Sequence, residues 1–242
     1  MIFAAGLGTR LKPITDNLPK ALVPINGKPL LQHVILKLKS AGFDEIIVNV
    51  HHFPEQIIDF LKANNNFDIR IEVSDERKQL LDTGGGIRNA KWFFDDGKPF
   101  LVHNVDILSD VDLNKLYHQH LRTNSLATLV VSKRDTFRYL LFDDNLRLNG
   151  WINEKTGETK PQGLNHIELY NKLAFAGIQV LSPAVFELME NLEPKFPIID
   201  FYLSLAKAET ITGFTPPDFH MLDVGKLNML DEAESFVKRE EP

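Results

Sequence analysis

Residues 1–30 read MIFAAGLGTRLKPITDNLPKALVPINGKPL. A short apolar run, Ile2 to Ala5, ends in Gly6 and Gly8, and positive charge follows at Arg10, Lys12 and Lys20. Glycines at the end of a buried strand let backbone N–H groups approach an anion without interference from Cβ. In open α/β sheets ligands collect at the carboxyl ends of strands. Arg10 adds a planar fork of donors suited to phosphate, and Pro19 stiffens the approach of Lys20. The turn is not a Walker loop, because no Gly-Lys-Ser/Thr follows. Nor is it G-x-G-x-x-G, because Leu11 stands at the third glycine. Spacing alone leaves two readings open: an anion-binding turn, or a glycine turn followed by a solvated basic loop.

Beyond this stretch, strand-like and helix-like runs alternate. Glu45–Val50, Ile69–Val73 and Phe100–His103 read as buried strands, and Leu30–Ala41, Glu55–Asn64 and Gly86–Phe94 as helices. That alternation predicts right-handed crossovers and a mostly parallel sheet. After residue 125 the rhythm changes. Leu126–Val131 reads as a strand, Tyr139–Phe142 and Leu146–Ile152 as a hairpin, and Asn153–Asn165 as a polar loop. A strand at Ala174–Leu181 follows, then helices at Pro183–Met189 and Ile198–Ala208, strands near Ile211–Phe214 and Phe219–Leu222, and a last helix from Lys226. No linker or repeat interrupts the chain, so a single α/β domain is expected, with residues 1–125 and 126–242 as its two halves.

Composition narrows the function classes. The chain has 242 residues, 43% apolar and 25% charged, with a net charge of −6, so no global basic field points to nucleic acid. Any bound anion must be held by a local cluster. There are no cysteines, which excludes disulfides and thiolate metal sites. No apolar run approaches the roughly 20 residues of a membrane span. The expectation is a cytoplasmic protein that binds neither membrane nor nucleic acid.

Other motifs lie at element ends. In LDTGGGI (residues 81–87), Asp82 or Thr83 is a candidate helix cap, and the helix start is also a candidate ligand face. FLVHNVD (residues 100–106) ends a buried strand at a carboxylate, Asp106, which on local grounds could cap the next turn. MLDVG (residues 221–225) presents Asp223, which on local grounds could be a helix N-cap. Asp110-Val111-Asp112 spells a D-x-D, but it precedes the helical run Leu113–His120 and reads as capping. His118 and His120 point different ways on that run, and His51 and His52 read as surface residues at a strand end.

Taken together, residues 4–15 (AAGLGTRLKPIT) and 19–30 (PKALVPINGKPL) resemble the signature of the sugar-1-phosphate nucleotidyltransferases, the nucleotide-sugar pyrophosphorylases. The resemblance implies a Rossmann-like, three-layer α/β/α fold of the GT-A-like kind with a mostly parallel mixed central sheet. It implies a nucleotide site of Ala5, Gly6, Gly8, Thr9 and Arg10, joined by Thr83, Gly84, Gly85 and Asn104. Arg10 and Lys20 would be catalytic, the first on the departing phosphates and the second on the α-phosphate side. Asp106 and Asp223 would hold Mg²⁺. Val105 stands where the family usually has glycine, and Leu108 where some relatives carry another acid. Glu154, Lys155 and Gly177 would meet the sugar phosphate, although Thr156 replaces the usual proline after the lysine. Asp200 resembles a further polar contact but reads better as a helix cap.

The implied substrates are a nucleoside triphosphate, UTP or GTP, and a sugar-1-phosphate. Such chemistry needs positioning and charge neutralisation rather than a general base, since the sugar phosphate is already an anion. A solvated loop lysine packs little, so Lys20→Ala is expected to weaken turnover more than stability. Family members usually carry a few residues before the equivalent of Ile2. A glycosyltransferase of similar fold would lack the triphosphate loop. A non-catalytic nucleotide-binding module would be expected to lose Arg10, Lys20 or an aspartate, and all are present. Oligomeric state is not readable.

Overall fold

The computed structural model describes residues 1–240. In chain order its main elements are β1 (Ile2–Phe3), β2 (Pro24–Ile25), β3 (Lys28–Pro29), α1 (Leu30–Ser40), β4 (Glu45–Val50), α2 (Pro54–Ala63), β5 (Arg70–Asp75), α3 (Asp82–Asn89) and β6 (Phe100–Asn104). They continue with β7 (Ile107–Ser109), α4 (Leu113–Thr123), β8 (Ala127–Ser132), β9 (Arg138–Phe142), β10 (Leu148–Asn153) and β11 (Glu158–Lys160). The remainder is β12 (Asn171–Leu181), α5 (Val185–Leu188), α6 (Ile198–Leu205), β13 (Ile211–Phe214), β14 (Met221–Asp223) and α7 (Leu230–Glu240).

Two compact units emerge, and their limits differ from the division expected at residue 125. Among the described residues, the first gathers 1–81, 103–113 and 220–240, and the second 82–102 and 114–219. In the first unit β1 lies between β4 and the end of β6, parallel to both, and β5 extends the sheet beside β4 in parallel. Apolar Ile46, Ile47, Val48 and Val50 on β4 are buried, as sandwiched parallel strands require. Helix α1 buries Leu30, Leu31, Val34, Ile35 and Leu38, one stripe at helical spacing. β7 and β14 form a separate antiparallel ribbon, pairing Asp223 with Ile107.

The second unit is mostly antiparallel: β11, β10, β9 and β12 pair in that order, β12 also pairs with β8, and β13 runs parallel to β8. Phe94, Phe100 and Phe186 stack in its core, with centroids 4.0 and 5.4 Å apart. Parallel and antiparallel pairings are described in equal number, so the sheet is mixed, as expected, but not mostly parallel.

Three local expectations are corrected. β1 stops at Phe3 rather than Ala5, because the amides of Ala4 and Ala5 turn to a side chain instead of a strand. The polar stretch 153–165 is not all loop: Glu158–Lys160 pairs with β10 despite its polarity. Helix α3 begins at Asp82, not Gly86, so three glycines lie inside a helix. Such a run is a poor helix former, and tertiary contacts hold it.

Candidate active site

Arg10, Lys20, Asp106 and Asp223 fall in the first unit, whereas Glu154 and Lys155, also expected to carry charge chemistry, fall in the second. The chain leaves β1 into an exposed Gly6, Leu7, Thr9 and Arg10. Gly8, at φ +64°, turns the loop back on itself. Its carbonyl accepts from Leu11 N at 2.8 Å and from Thr15 Oγ1 at 2.8 Å. A Cβ at Gly8 would lie 2.9 Å from Thr15 Cγ2 and 3.1 Å from Lys20 Cβ, so the stem of Lys20 packs on this turn.

Lys20 is not a solvated loop lysine. It is only 8% exposed, and its ammonium is paired with Asp106 Oδ2. Burial of a charge is tolerated where a counter-charge and hydrogen bonds receive it. The loop from β1 and the turn after β6 are thus tied by one ion pair.

Asp106 stands between β6 and β7. Val105 before it does not adopt a positive φ; it buries its side chain to 4% exposure and donates its N–H to Phe3 O at 3.1 Å. The valine therefore fits the turn as a core residue, and Leu108 is likewise buried. Val224 N donates to Asp106 O at 2.8 Å. With Asp223 opposite Ile107, the two aspartates, 117 positions apart in sequence by their numbering, stand at neighbouring ends of one ribbon. Neither caps a helix: Asp223 ends β14, and the turn that follows starts from Lys226.

Around Asp223 the packing is tight. A Cβ on Gly225 would lie 2.6 Å from Asp223 Oδ1 and 2.6 Å from Arg10 Nη2. The guanidinium and the carboxylate oxygen are therefore no more than twice that distance apart, and only a glycine leaves room for both. Asp223 Oδ1 is buried and has no hydrogen-bond partner among the described residues. A bare carboxylate oxygen out of water is costly, and a hard cation is the group that would satisfy it. Among the described residues no group of three or more His, Cys, Asp or Glu gathers. Two carboxylates suit Mg²⁺, which leans on water and phosphate oxygens for the rest of its shell.

Residues 1–240 are covered by the match to the family model described as nucleotidyl transferase. The chain belongs to that family. It is 41% identical over 250 residues to the N-acetylmuramate alpha-1-phosphate uridylyltransferase of Neisseria meningitidis, covering 98% of this chain and 97% of the relative. It is 44% identical over 108 residues to the protein of the same description from Caulobacter vibrioides, there covering 44% of each. A probable mannose-1-phosphate guanylyltransferase of Arabidopsis thaliana is 30% identical over 233 residues, covering 93% of this chain but 61% of that protein. This chain thus spans well under two thirds of some curated relatives and nearly all of another. Among solved structures, HddC from Yersinia pseudotuberculosis, complexed with GMP-PN, superposes with a TM-score of 0.78 at 24% identity, covering 97% of this chain and 96% of that one. That likeness bears on the fold alone.

Within the first unit, Asn104 ends β6, and its carbonyl lies 2.8 Å from His103 Nδ1. His103 is fully buried, and burial pushes its imidazole down to about 4. Ala5 is buried, and its amide is taken by Asn49 Oδ1 at 3.2 Å. That leaves the exposed Gly6–Arg10 segment as the part of the family loop open to a ligand.

Within the second unit, the Thr83 hydroxyl donates to Asp82 Oδ1 at 3.4 Å and accepts from Ile198 N at 2.8 Å. The amides of Gly84 and Gly85 donate to Phe196 O at 2.9 and 3.3 Å. A Cβ on Gly84 would fall 2.2 Å from Phe196 Cε2. Here the glycines admit a neighbouring ring and carbonyl, so these two amides are not the free donors a ligand face would need. Glu154 is half-exposed and ion-paired with Lys172 at 2.8 Å. Lys155 is exposed, its ammonium 6.0 Å from the centre of the Phe137 ring. Gly177, at φ +74°, sits in the register shift between Phe175 and Gln179 where β12 bulges against β8.

Asp200 is not the cap expected: its Oδ1 accepts from Lys160 Nζ at 2.7 Å, and Lys160 also lies over Trp151. Asp110, expected to cap α4, instead grips His220 through its backbone N and ring Nδ1, both at 2.9 Å. His120 is buried against Thr128 Oγ1 at 2.9 Å, and His51 Nδ1 meets Glu76 O at 2.8 Å.

Sequence reasoning missed two buried polar residues at the end of β1. The unlike neighbours Asn49 and Glu76, both nearly inaccessible, carry the strand exit. The only sequence signal was a polar residue inside the apolar run EIIVNV, where a strand interior should be hydrophobic.

Proposed function

We propose that this chain is a sugar-1-phosphate nucleotidyltransferase. A sugar-1-phosphate oxygen attacks the α-phosphorus of a nucleoside triphosphate, the bond from that phosphorus to the bridging oxygen breaks, and pyrophosphate leaves with the electron pair. No general base is called for. The observation that carries the reading is the gathering of Arg10, Lys20, Asp106 and Asp223 around one turn and one ribbon. A polyanion meeting a second anion needs fixed positive charge where the leaving group forms. Arg10, exposed on the glycine turn, would grip the departing phosphates. Lys20 would turn from Asp106 to the α-phosphate side. Asp106 and Asp223 would hold Mg²⁺, which would supply charge neutralisation for the bridging and leaving oxygens.

The preferred substrates are UTP and N-acetylmuramate-1-phosphate, on the strength of the relative matched over nearly its full length. A guanylyltransferase acting on mannose-1-phosphate is the second reading, favoured by the plant relative. For the second unit we assign Glu154, Lys155 and Gly177 to the sugar phosphate; with the amides of Gly84 and Gly85 given to Phe196 O and the Thr83 hydroxyl accepting from Ile198 N, residues 83–85 would shape the base side without donating those amides to it. The site of action is the cytoplasm; no helix among the described residues is long and apolar enough to cross a membrane.

Pyrophosphate release decides the matter, measured for UTP, GTP, CTP and dTTP against N-acetylmuramate-, mannose-, heptose- and glucose-1-phosphate with Mg²⁺ present. The expected result is fastest release with UTP and N-acetylmuramate-1-phosphate, and loss of it in Asp106→Asn and Asp223→Asn. Release with GTP and mannose-1-phosphate instead would move the assignment to the second reading. No release with any pair would leave a binding module.

A further inference from the structure

Two buried polar residues outside the charged cluster hold the start of the phosphate turn. Asn49, on β4, is 3% exposed, and Glu76, just past β5, is 2% exposed. Asn49 Oδ1 accepts from Ala4 N at 2.7 Å and from Ala5 N at 3.2 Å. Asn49 Nδ2 donates to Glu76 Oε1 at 2.7 Å, and Glu76 Oε2 accepts from Leu81 N at 3.1 Å. The backbone of Glu76 is fixed as well: its N–H donates to Val50 O at 2.8 Å, and its carbonyl accepts from Gln79 N at 3.0 Å.

We infer that Asn49 and Glu76 are positioning residues for the nucleotide, which hold the Gly6–Arg10 turn at the angle the triphosphate requires. The inference rests on the nucleotidyltransferase reading above. Its physical basis is the point at which β1 ends. A strand continuing past Phe3 would carry residues 4–8 along the sheet. Asn49 takes both next amides into one side-chain oxygen, so the chain departs from the ladder two residues before Gly6. Asn49 is itself oriented by Glu76, because only with its NH₂ toward that carboxylate does its oxygen face the amides. Glu76 in turn ties this to Leu81, the last residue before Asp82. The relay contains no group that touches the expected phosphates, so its effect passes through backbone placement. In a buried network each donor needs its acceptor, and reversing one member sets like against like.

That polarity offers a test by exchange. In Asn49→Asp two carboxylates face each other. In Glu76→Gln an amide NH₂ faces a donor, either Asn49 Nδ2 or Leu81 N. In the double variant the carboxylate introduced at position 49 accepts from Ala4 N, Ala5 N and the side-chain NH₂ introduced at position 76. The side-chain oxygen left at position 76 accepts from Leu81 N. Every pairing returns, the one between the two side chains with its direction reversed, and the net charge is unchanged.

The chain and its variants are titrated with UTP in Mg²⁺, and KM is measured for UTP and for N-acetylmuramate-1-phosphate. Each single substitution is expected to weaken UTP about tenfold or more, with the sugar-phosphate KM within about twofold, and the double variant to recover UTP binding to within about threefold. Thermal melting is followed in parallel. Melting temperatures that fall and recover while UTP affinity stays at the wild-type value would overturn the inference, since that is a structural role alone. Weak UTP binding in the double variant would overturn it too. If a single variant is unfolded at the assay temperature, the double variant decides by the same criterion. Wild-type protein that binds none of UTP, GTP, CTP or dTTP would sink the nucleotide reading and this inference with it, which separates that failure from equal binding by all variants.

Discussion

Gly225→Ala adds one methyl group at the tightest point of the site. The new carbon would sit 2.6 Å from Asp223 Oδ1 and from Arg10 Nη2, and 3.2 Å from Arg10 Cζ. Comfortable contact is about 3.5–4.0 Å, so one neighbour must retreat by about 1 Å. Arg10 is the end of an exposed, flexible side chain, and Asp223 is held in a paired strand. Arginine therefore yields. Gly225 has no positive φ, so alanine meets no backbone strain there. The fold should lose about 1 kcal/mol or less, a melting shift of about 2–4 °C in a chain of this size. Turnover should fall much further, because a 1 Å misplacement of a positioned group can cost about 100-fold. The assay pairs pyrophosphate release under saturating substrates with a thermal melt of the same preparation. A variant that melts normally and turns over within about twofold of wild type would refute the claim that Arg10 and Asp223 must share this space. A variant that melts far below wild type would show that Asp223, not Arg10, gave way.

Other perturbations test neighbouring groups. Lys20→Met leaves Asp106, a largely buried carboxylate, without its partner; urea unfolding should show a loss of about 2–3 kcal/mol, below the fully buried range because the carboxylate keeps some water. The same variant, freed of the competing ammonium, should bind Mn²⁺ alone more tightly than wild type by titration calorimetry, and weaker binding would count against a metal on Asp106. Burial depresses both His103 and His120 to about 4 in the folded chain. An unfolded histidine takes its proton near pH 6.5, so stability present above that value should drain away as pH falls toward 4, by roughly 3 kcal/mol for each ring. Urea midpoints at pH 7 and pH 4.5 check this, and a flat profile would contradict it. Gly84→Ala drives a methyl into the Phe196 ring and should cost about 1–3 kcal/mol by overpacking, read as a lower melting temperature.

The parallel core was legible because its signals are local. A run such as EIIVNV bounded by helix periodicity can be little else than a buried strand, and the structure places β4 at Glu45–Val50 as expected. The charged cluster was legible for another reason: Arg10, Lys20, Asp106 and Asp223 sit within stretches that resemble a family signature, where spacing alone left more than one reading open. Burial was not legible. Lys20 looked solvated because its neighbours Pro19 and Asn17 look like loop. Its 8% exposure follows from the Gly8 turn closing over its stem and from a partner 86 positions later, neither of which a local reading contains.

The same limit explains the polar residues that were misjudged. Asp110 and Asp200 precede or open helical segments, and local chemistry makes an aspartate there a cap. Each instead takes a partner from a distant segment: His220 for Asp110 and Lys160 for Asp200. A cap is worth about 1 kcal/mol, and a charge-assisted bond to a remote group is worth more, so the long-range partner wins where the fold supplies one. Asn49 shows the rule from the other side. A polar side chain in a strand interior has no local use, so a residue that breaks an apolar run must serve something the run cannot see. Here it serves two amides on the strand that opens the chain, and through them the turn on which the proposed chemistry depends.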